Sequence, residues 1–144
     1  MNCQYCTNED IQARIIYKDD LVMVFPTNIP ITPGHTLVCP TRHIALIEQL
    51  SDDELKSTRK MIVRVKDSLT KSFGAEGFNI AWNEGVPAGQ SIAHLHIHIV
   101  PRKTGDTGIY EYEPRQFLYR PGSRNTMPEQ ELQEISRIIR ENIV

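Results

Sequence analysis

Apolar and polar positions divide the chain into five strand-like segments and two helical ones. The strand-like segments, which are short runs rich in β-branched and aromatic residues, are residues 14–18, 21–26, 35–39, 78–82 and 95–100. Residues 51–73 carry apolar side chains at helical spacing, which predicts one buried stripe that includes Leu55, and they begin with a capping box of Ser51 and Glu54. Pro128 opens a second helix with an apolar face. This order predicts an α+β fold: an antiparallel sheet of about five strands with a long central helix and a C-terminal helix on one side.

The length and composition fit one domain. The chain has 144 residues, of which 40% are apolar and 24% charged, and the sequence contains no internal repeat and no linker-like tract. Residues 1–106 are expected to form the core of the domain. Residues 107–144 are expected to hold an irregular excursion, interrupted by glycine and proline, followed by the C-terminal helix. We therefore expect a single domain over residues 1–144.

Charge and hydrophobicity argue against several classes of partner. Sixteen basic and 18 acidic residues give a net charge of −2, which disfavours a protein that holds duplex nucleic acid by its phosphates. No apolar run approaches the roughly 20 residues that span a bilayer, and the polar N-terminus lacks a signal-peptide core. Three cysteines without an export signal indicate reduced thiols. We expect a cytoplasmic protein that binds neither membranes nor duplex nucleic acid.

Three histidines alternate with aliphatic residues in the fifth strand-like segment. His94, His96 and His98 occupy every second position, and alternate residues of a strand share a face. We therefore expect the three imidazoles to line one face of the sheet and the aliphatic side chains to point into the core. A register slip of one residue would bury the imidazoles instead. The aliphatic residues are Leu95, Ile97 and Ile99.

Such a row of histidines has three interpretations. A neutral imidazole attacks phosphorus as a nucleophile, a His-x-His pair binds a catalytic metal, or polar side chains simply cover a solvated face. The turn that precedes the row favours the first interpretation. Gly89 permits a close backbone approach, and Gln90 and Ser91 bring hydrogen-bond donors, so that the turn can hold a phosphate. A metal oxygenase would need a nearby carboxylate, for which Glu84 is the only candidate.

The same residues resemble a known family. Residues 89–98, Gly-Gln-Ser-Ile-Ala-His-Leu-His-Ile-His, resemble the signature of the histidine triad superfamily of nucleotide hydrolases and transferases. Residues 33–40 match the second recognisable block of that family. Residues 101–106 look most like its fragile histidine triad branch. The resemblance runs from about residue 3 to residue 106, and it implies the fold of the family and a homodimer in which two sheets pair edge to edge.

The resemblance implies a hydrolase that acts at the α-phosphate of nucleoside 5′-phosphate derivatives. His96 matches the family's nucleophile, which forms a nucleotidyl-histidine intermediate that water or another acceptor resolves. His98 matches the histidine that contacts the α-phosphate. The block at residues 101–106 favours dinucleoside polyphosphates, with an adenine nucleoside monophosphate as product. The other residues that match substrate contacts are His35, Asn83, Gly89, Gln90, Ser91 and Ile92.

The block that should cover the nucleoside departs from the family pattern. Counted back from His35, the family's ribose-binding Asn or Asp falls at Thr27, and Asn28 stands one position later. Either Thr27 binds the ribose more weakly, or a local shift of the backbone lets Asn28 do so.

The N-terminal cysteines are candidate metal ligands. Cys3 and Cys6 have the spacing of two thiolates in a tetrahedral zinc site, which needs two more ligands, but the spacing alone also fits a redox pair or an accidental arrangement. Branches of the family that carry this pair complete a structural zinc site with a histidine after the Pro-x-x block and with the first triad histidine. These positions match His43 and His94. We expect one structural Zn²⁺ and no organic cofactor.

Two other residues with candidate chemistry are expected in the core. Cys39 lies in an apolar run, and free cysteine is among the most buried residue types. Trp82 ends a predicted strand, and we interpret it as a core residue rather than as a platform for stacking a base.

Other functions remain open. A nucleoside phosphoramidase similar to the Hint branch differs from the favoured activity only in the leaving group. A nucleotidyltransferase is disfavoured because the galactose-1-phosphate uridylyltransferase branch has proline between its two key histidines, where Leu95 stands here. A module that binds nucleotides without turning them over is a third alternative.

Overall fold

A computed structural model describes residues 2–108 and 126–143, so most of the predicted excursion lies outside the described residues. Five strands form one antiparallel sheet in the order β1-β2-β3-β5-β4, which confirms the predicted α+β fold. The strands are β1 (Tyr17–Lys18), β2 (Val22–Pro26), β3 (Thr36–Pro40), β4 (Gly77–Ala81) and β5 (Ile97–Arg102). The fifth strand therefore begins two residues later than predicted and continues through Pro101.

Four α-helices accompany the sheet in the described part of the chain. They are α1 (Gln4–Thr7), α2 (Glu9–Ala13), α3 (Asp52–Phe73) and α4 (Glu129–Asn142), with short 3₁₀ turns at Ile47–Gln49 and Val86–Ala88. The periodicity predicted α3 and α4 but missed α1 and α2, because four or five residues are too few to show a helical repeat. Among the described residues, no helix has the length and apolar character needed to cross a membrane.

The capping box of α3 forms as predicted. Ser51 Oγ accepts from the Glu54 N–H (3.1 Å), and the Glu54 carboxylate accepts from the Ser51 N–H (2.9 Å). Gly74, with a φ of 67°, ends the helix in the left-handed region. Arg42 hydrogen-bonds the Glu54 carboxylate and lowers its pKa below the ordinary value. Because the first turn directs Glu54 inward, Leu55 is 52% exposed, and its predicted place in the buried stripe is wrong.

One face of the sheet packs against α3 and α4. Ser68 Oγ donates to the Ile139 carbonyl (2.7 Å) and joins the two helices. Each aliphatic side chain buried here contributes about 1.5–3 kcal/mol. The buried core of this layer includes Val24, Val38, Met61, Val65, Leu69, Ile97, Ile99 and Ile139.

The opposite face of the sheet is covered as well, in contrast to the prediction of helices on one side. The N-terminal segment with α1 and α2 packs a second apolar cluster against β2 and β3. Both strands are buried at every position, because alternate side chains enter different layers. The second cluster consists of Cys3, Tyr5, Ile11, Met23, Phe25, Leu37 and Cys39. The burial of Cys39 is therefore confirmed.

Strand β4 lies at an edge of this sheet. Ile80 is 42% exposed and Trp82 is 43% exposed, so the prediction that Trp82 is a core residue is wrong. The physical reason is the strand order: β5 lies between β3 and β4, so that among the described strands β4 pairs with β5 alone, and Trp82 follows the last residue of this edge strand. The Trp82 indole N–H donates to Glu84 Oε2 (3.3 Å).

Candidate active site

The histidine row spans the start of β5. His98 lies in the strand, opposite Leu37 of β3, whereas His94 and His96 precede the strand. The predicted alternation holds, because Ile97 and Ile99 enter the layer under α3. The imidazoles are nevertheless buried, with exposures of 0%, 4% and 9% from the first to the third. The expectation that only the aliphatic side chains are buried is therefore wrong, since the N-terminal segment covers the histidine face.

The hydrogen bonds of His96 fix its tautomer. Its Nδ1 lies 2.7 Å from the His94 carbonyl oxygen, which only accepts, so Nδ1 carries the proton and donates. The lone pair is then on Nε2. Burial lowers the pKa of His96, which favours the neutral ring. The ring of Tyr5 packs edge-on with its centroid 5.2 Å from that of His96 and limits its rotation. His96 therefore presents a neutral, oriented nitrogen nucleophile.

A second pair of imidazoles fixes His98. The Ile31 N–H donates to His35 Nδ1 (3.1 Å), so a neutral His35 carries its proton on Nε2. That N–H donates to His98 Nδ1 (2.9 Å). A neutral His98 must then carry its own proton on Nε2. The relay makes His98 Nε2 a donor beside the nucleophile, since the rings of His96 and His98 lie 5.1 Å apart.

These histidines form the end of a cavity between the N-terminal helices, the segment after β2 and the turn before β5. The cavity brings together many of the residues that the sequence predicted to contact substrate. They are Thr27, Asn28, Gly89, Ser91, Ile92, His96 and His98. Further lining residues include Tyr5, Asn8, Ile11, Arg14, Phe25, Ile29, Leu37 and Glu129.

The remaining predicted substrate contacts lie around this cavity. His35 is behind His98, as its hydrogen bond requires. Gln90 ties the turn together: its Oε1 accepts from the Gly85 N–H (2.8 Å), and its Nε2 donates to the Ala45 carbonyl (3.1 Å). Asn83 is buried in the segment after β4.

The turn before β5 depends on two glycines. Gly85 and Gly89 flank the Val86–Ala88 turn with φ values of 86° and 98°, which L side chains rarely adopt. Gly89 thereby brings the backbone against the cavity, which Ser91 and Ile92 also line. This arrangement is suited to binding an anion through backbone amides.

The four residues predicted to bind zinc converge at α1, which begins after Cys3 and contains Cys6. Their ligand atoms all lie within 4.8 Å of one another. Cys3 Sγ and Cys6 Sγ lie 3.4 and 3.6 Å from His94 Nδ1, and Cys6 Sγ lies 3.8 Å from His43 Nδ1. Zn–S bonds of about 2.3 Å and Zn–N bonds of about 2.0–2.1 Å at tetrahedral angles separate sulfur from nitrogen by about 3.5 Å. The cluster fits tetrahedral zinc.

The other ring nitrogen of His94 supports this fit. His94 Nε2 lies 2.8 Å from the Pro40 carbonyl and must donate to it, which leaves Nδ1 unprotonated toward the two thiols. Burial also lowers the pKa of His94 and so favours the neutral ring that a metal requires. The residues present can therefore hold a metal without rearrangement.

Sequence reasoning missed several residues that form the cavity. Tyr5 lies between the two cysteines in the sequence. Because Cys3 and Cys6 both lie next to His94, the ring of Tyr5 is also held against His94. Glu129 and Arg14, which form an ion pair at the cavity wall, gave no signal because they are distant in sequence.

Comparison with known proteins identifies the family. The model of the HIT domain matches residues 8–105. A HIT-like protein of Methanocaldococcus jannaschii is 37% identical over 112 residues, which cover 76% of this chain and 86% of that protein. A bis(5′-adenosyl)-triphosphatase of Dictyostelium discoideum is 28% identical over 137 residues, 91% of this chain and 89% of that protein. A crystal structure of a Zn-bound histidine triad family protein from Mycobacterium smegmatis superimposes with a TM-score of 0.69 and 28% identity, over 90% of this chain and 82% of that one. The chain belongs to the histidine triad (HIT) family.

Proposed function

We propose that this protein is a nucleotide hydrolase that attacks the α-phosphorus of nucleoside 5′-phosphate derivatives, with adenine dinucleoside polyphosphates as preferred substrates. The observation that carries the proposal is the state of His96, a neutral imidazole whose Nδ1–H is held by the His94 carbonyl at 2.7 Å and whose Nε2 keeps its lone pair. The similarity to a bis(5′-adenosyl)-triphosphatase supports the same reaction class.

The first step forms a covalent intermediate. His96 Nε2 attacks the α-phosphorus, a P–N bond forms, and the bond from the α-phosphorus to the bridging oxygen breaks. The leaving group departs with the electron pair of that bond. His98 Nε2–H donates to a non-bridging oxygen, where negative charge accumulates in the transition state.

The second step releases the nucleotide. Water attacks the α-phosphorus from the side that the leaving group has vacated, the P–N bond breaks, and its electron pair returns to His96 Nε2. The products are a nucleoside monophosphate and a proton, and the enzyme regains its initial state. The turn at Gly89, Ser91 and Ile92 holds the phosphate oxygens in both steps.

The metal cluster has a separate role in this proposal. Bound zinc would use all four ligands, Cys3, Cys6, His43 and His94, and so would be structural. These residues would hold α1 against the segment that leads into β5, with Tyr5 between the site and His96. We also propose a cytoplasmic location, where a reducing environment would keep Cys3 and Cys6 available as thiolate ligands.

A nucleoside phosphoramidate is a second candidate substrate because of where residues 101–106 lie. Arg102 donates to the Asp106 carboxylate (3.0 Å) and to Asn79 Oδ1 (3.2 Å), and its ion pair with Asp106 closes the turn after β5. The residues that line the active-site cavity come from other segments. Residues 101–106, which favoured dinucleoside polyphosphates, therefore form a structural turn and do not line the cavity. A substrate with a smaller leaving group suits the cavity as well.

A product assay tests the hydrolase and identifies the leaving group. Purified protein is incubated with diadenosine triphosphate and, separately, with adenosine 5′-phosphoramidate, and the nucleotides are resolved by chromatography. We expect AMP from both substrates, at a higher rate from the dinucleotide. Faster AMP release from the phosphoramidate would reverse the preference, and no AMP from either would overturn the proposed hydrolase.

We further propose a homodimer formed through β4. The strand lies at the sheet edge, and Ile80 and Trp82 are 42% and 43% exposed there. Light scattering should give twice the chain mass of 16.5 kDa, and Ile80→Glu should give the monomer. Val63→Glu, at a position 51% exposed on α3, is the matched control and should remain dimeric. Equal masses for the two variants would contradict this interface.

A further inference from the structure

The start of α4 forms one wall of the active-site cavity. Glu129, the first residue of the helix, lines the cavity together with Thr27 and Asn28. The Met127 N–H donates to the Asn28 carbonyl (2.9 Å), and Arg14 Nη1 donates to Glu129 Oε1 (2.5 Å). The C-terminal helix therefore brings a carboxylate to a site that is otherwise built from the N-terminal half of the chain and the histidine segment.

Arg14 fixes the direction of this carboxylate. The arginine is only 4% exposed, and its Nε donates to the Pro26 carbonyl (3.1 Å) while its Nη1 holds Glu129 Oε1. A guanidinium bound at two points is a rigid anchor. The bond from Arg14 therefore restrains the Glu129 carboxylate before any ligand binds.

The second oxygen of the Glu129 carboxylate, Oε2, has no hydrogen-bond donor among the described residues. The Glu129 side chain is 37% exposed as a whole, yet Oε2 is buried and no donor within residues 2–108 and 126–143 reaches it. A buried acceptor of a charged group without a donor is costly. A ligand that brings a hydrogen-bond donor to this wall recovers that cost on binding.

The chemistry of the wall selects the part of a nucleotide that it meets. A carboxylate repels phosphate and accepts from hydroxyl or amino groups, so Glu129 suits the nucleoside and not the phosphate end, which His96 and His98 occupy. Within the nucleoside, the polar wall of Thr27, Asn28 and Glu129 suits the sugar. The apolar wall suits the base and consists of Ile11, Phe25, Ile29 and Leu37.

Neither polar neighbour supplies an equal acceptor. Thr27 Oγ1 already accepts from the Ile29 N–H (3.3 Å), and the Asn28 side chain offers only a neutral amide oxygen, while its backbone carbonyl accepts from the Met127 N–H. Asp10, the other carboxylate on the cavity lining, is exposed to solvent. A carboxylate oxygen has two lone-pair sites and so accepts from two adjacent hydroxyls, and bonds to an ionised acceptor are the stronger kind.

We propose that Glu129 binds the 2′- and 3′-hydroxyls of the ribose and makes the site selective for ribonucleotides over deoxyribonucleotides. The proposal rests on the proposed function, because it names the part of the nucleotide that this wall contacts. Arg14 acts through Glu129 as a positioning residue. Helix α4, which is distant in sequence from Thr27, thus adds a carboxylate to a sugar site in which Thr27 supplies only a hydroxyl.

Binding of product-like nucleotides tests the assignment. Calorimetry measures the Kd of AMP, 2′-deoxy-AMP, 3′-deoxy-AMP and IMP for wild type, Glu129→Gln and Glu131→Gln. Wild type should bind AMP about tenfold or more tightly than either deoxy analogue, as expected for hydroxyls bonded to a charged acceptor. Glu129→Gln keeps an oxygen for Arg14 but removes the charge, and it should bind AMP and its deoxy analogues with nearly equal affinity.

The matched control separates this effect from a general loss of charge. Glu131 lies in the same first turn of α4 and is exposed, so Glu131→Gln should keep the wild-type preference for AMP. Preference for AMP that survives in Glu129→Gln would overturn the assignment. A ratio of AMP to IMP affinity that changes in Glu129→Gln while the preference for AMP over its deoxy analogues persists would also overturn the assignment, because the carboxylate would then contact the base.

A second variant covers the case in which Glu129→Gln does not fold. Glu129→Asp keeps the charge but withdraws the carboxylate by one methylene, and it should reduce the preference for AMP without abolishing it. Thermal unfolding reports whether each variant is folded. Failure of wild type to bind any of the nucleotides would remove the proposed function itself, whereas tight binding that is indifferent to Glu129 would remove only this inference.

Discussion

Replacing His96 with alanine is expected to abolish AMP release from diadenosine triphosphate and from adenosine 5′-phosphoramidate. The variant loses the only proposed nucleophile and with it the covalent route, so the rate of AMP release should fall by at least about 10³-fold. Chromatography of the products over a time course measures the loss. The variant should remain folded, because it loses the bond to the His94 carbonyl and the ring contacts with Tyr5 and His98, but no side chain of the core under α3 and α4.

Two further measurements make the result specific to nucleophilic catalysis. The Kd of AMP should change far less than the rate, since the phosphate turn and the sugar wall are intact. Acid-free intact-mass spectrometry of wild type mixed rapidly with substrate should show a nucleotidyl adduct that His96→Ala lacks. If His96→Ala released AMP at the wild-type rate, His96 would not be the nucleophile. If both proteins bound AMP with equal affinity and neither turned over substrate, the result would favour a nucleotide-binding module.

The local part of the site was predictable from sequence. Alternation at His94, His96 and His98 requires only a strand, and the spacing of Gly85 and Gly89 indicates a turn next to it. Both features follow from residues within about twenty positions of one another. The place of His96 in the histidine row could therefore be predicted without the fold, whereas its tautomer could not, because the tautomer depends on the direction of one carbonyl.

The cover of the site was not predictable in the same way. Helices α1 and α2 are too short for a periodic signal, and yet they bury the histidine face that the alternation left open. The contact of Glu129 with Arg14 joins residues far apart in the chain and depends on how α4 packs. Such contacts are set by tertiary packing, which the pattern of a single segment does not contain.

Strand order explains the remaining errors. The sequence pattern predicted about five strands in one antiparallel sheet, but not their order or which of them lies at an edge. Insertion of β5 between β3 and β4 places His98 inside the sheet and makes β4 an edge strand, which Trp82 follows. Trp82 is thus exposed although it ends a strand-like run, whereas the histidines are buried because the N-terminal segment covers their face of the sheet.

The second large effect is expected at the metal cluster. Cys3→Ser should remove the zinc that we expect to purify with the wild-type protein at one ion per chain, because a hydroxyl is a poor replacement for a thiolate ligand. The loss should also lower the Tm by about 10 °C. Loss of the metal should remove at least about 3 kcal/mol from the free energy of unfolding, and each kcal/mol shifts the Tm of a chain of this size by about 3 °C. Elemental analysis of the purified proteins and thermal unfolding with and without a chelator measure the two effects.

Cys39→Ser is the matched control for this experiment. Cys39 is a fully buried thiol in the same apolar layer, where burial raises its pKa well above the usual value, and it stands outside the four-residue cluster. The control should unfold earlier than wild type because it buries a hydroxyl, but it should retain one zinc ion and keep its sensitivity to the chelator. Cys3→Ser, in contrast, should have the same Tm with and without the chelator. A full complement of zinc in Cys3→Ser, or a wild-type Tm that does not respond to the chelator, would refute a structural metal. The comparison therefore distinguishes a metal that holds α1 and Tyr5 against His96 from a cysteine pair that merely packs there.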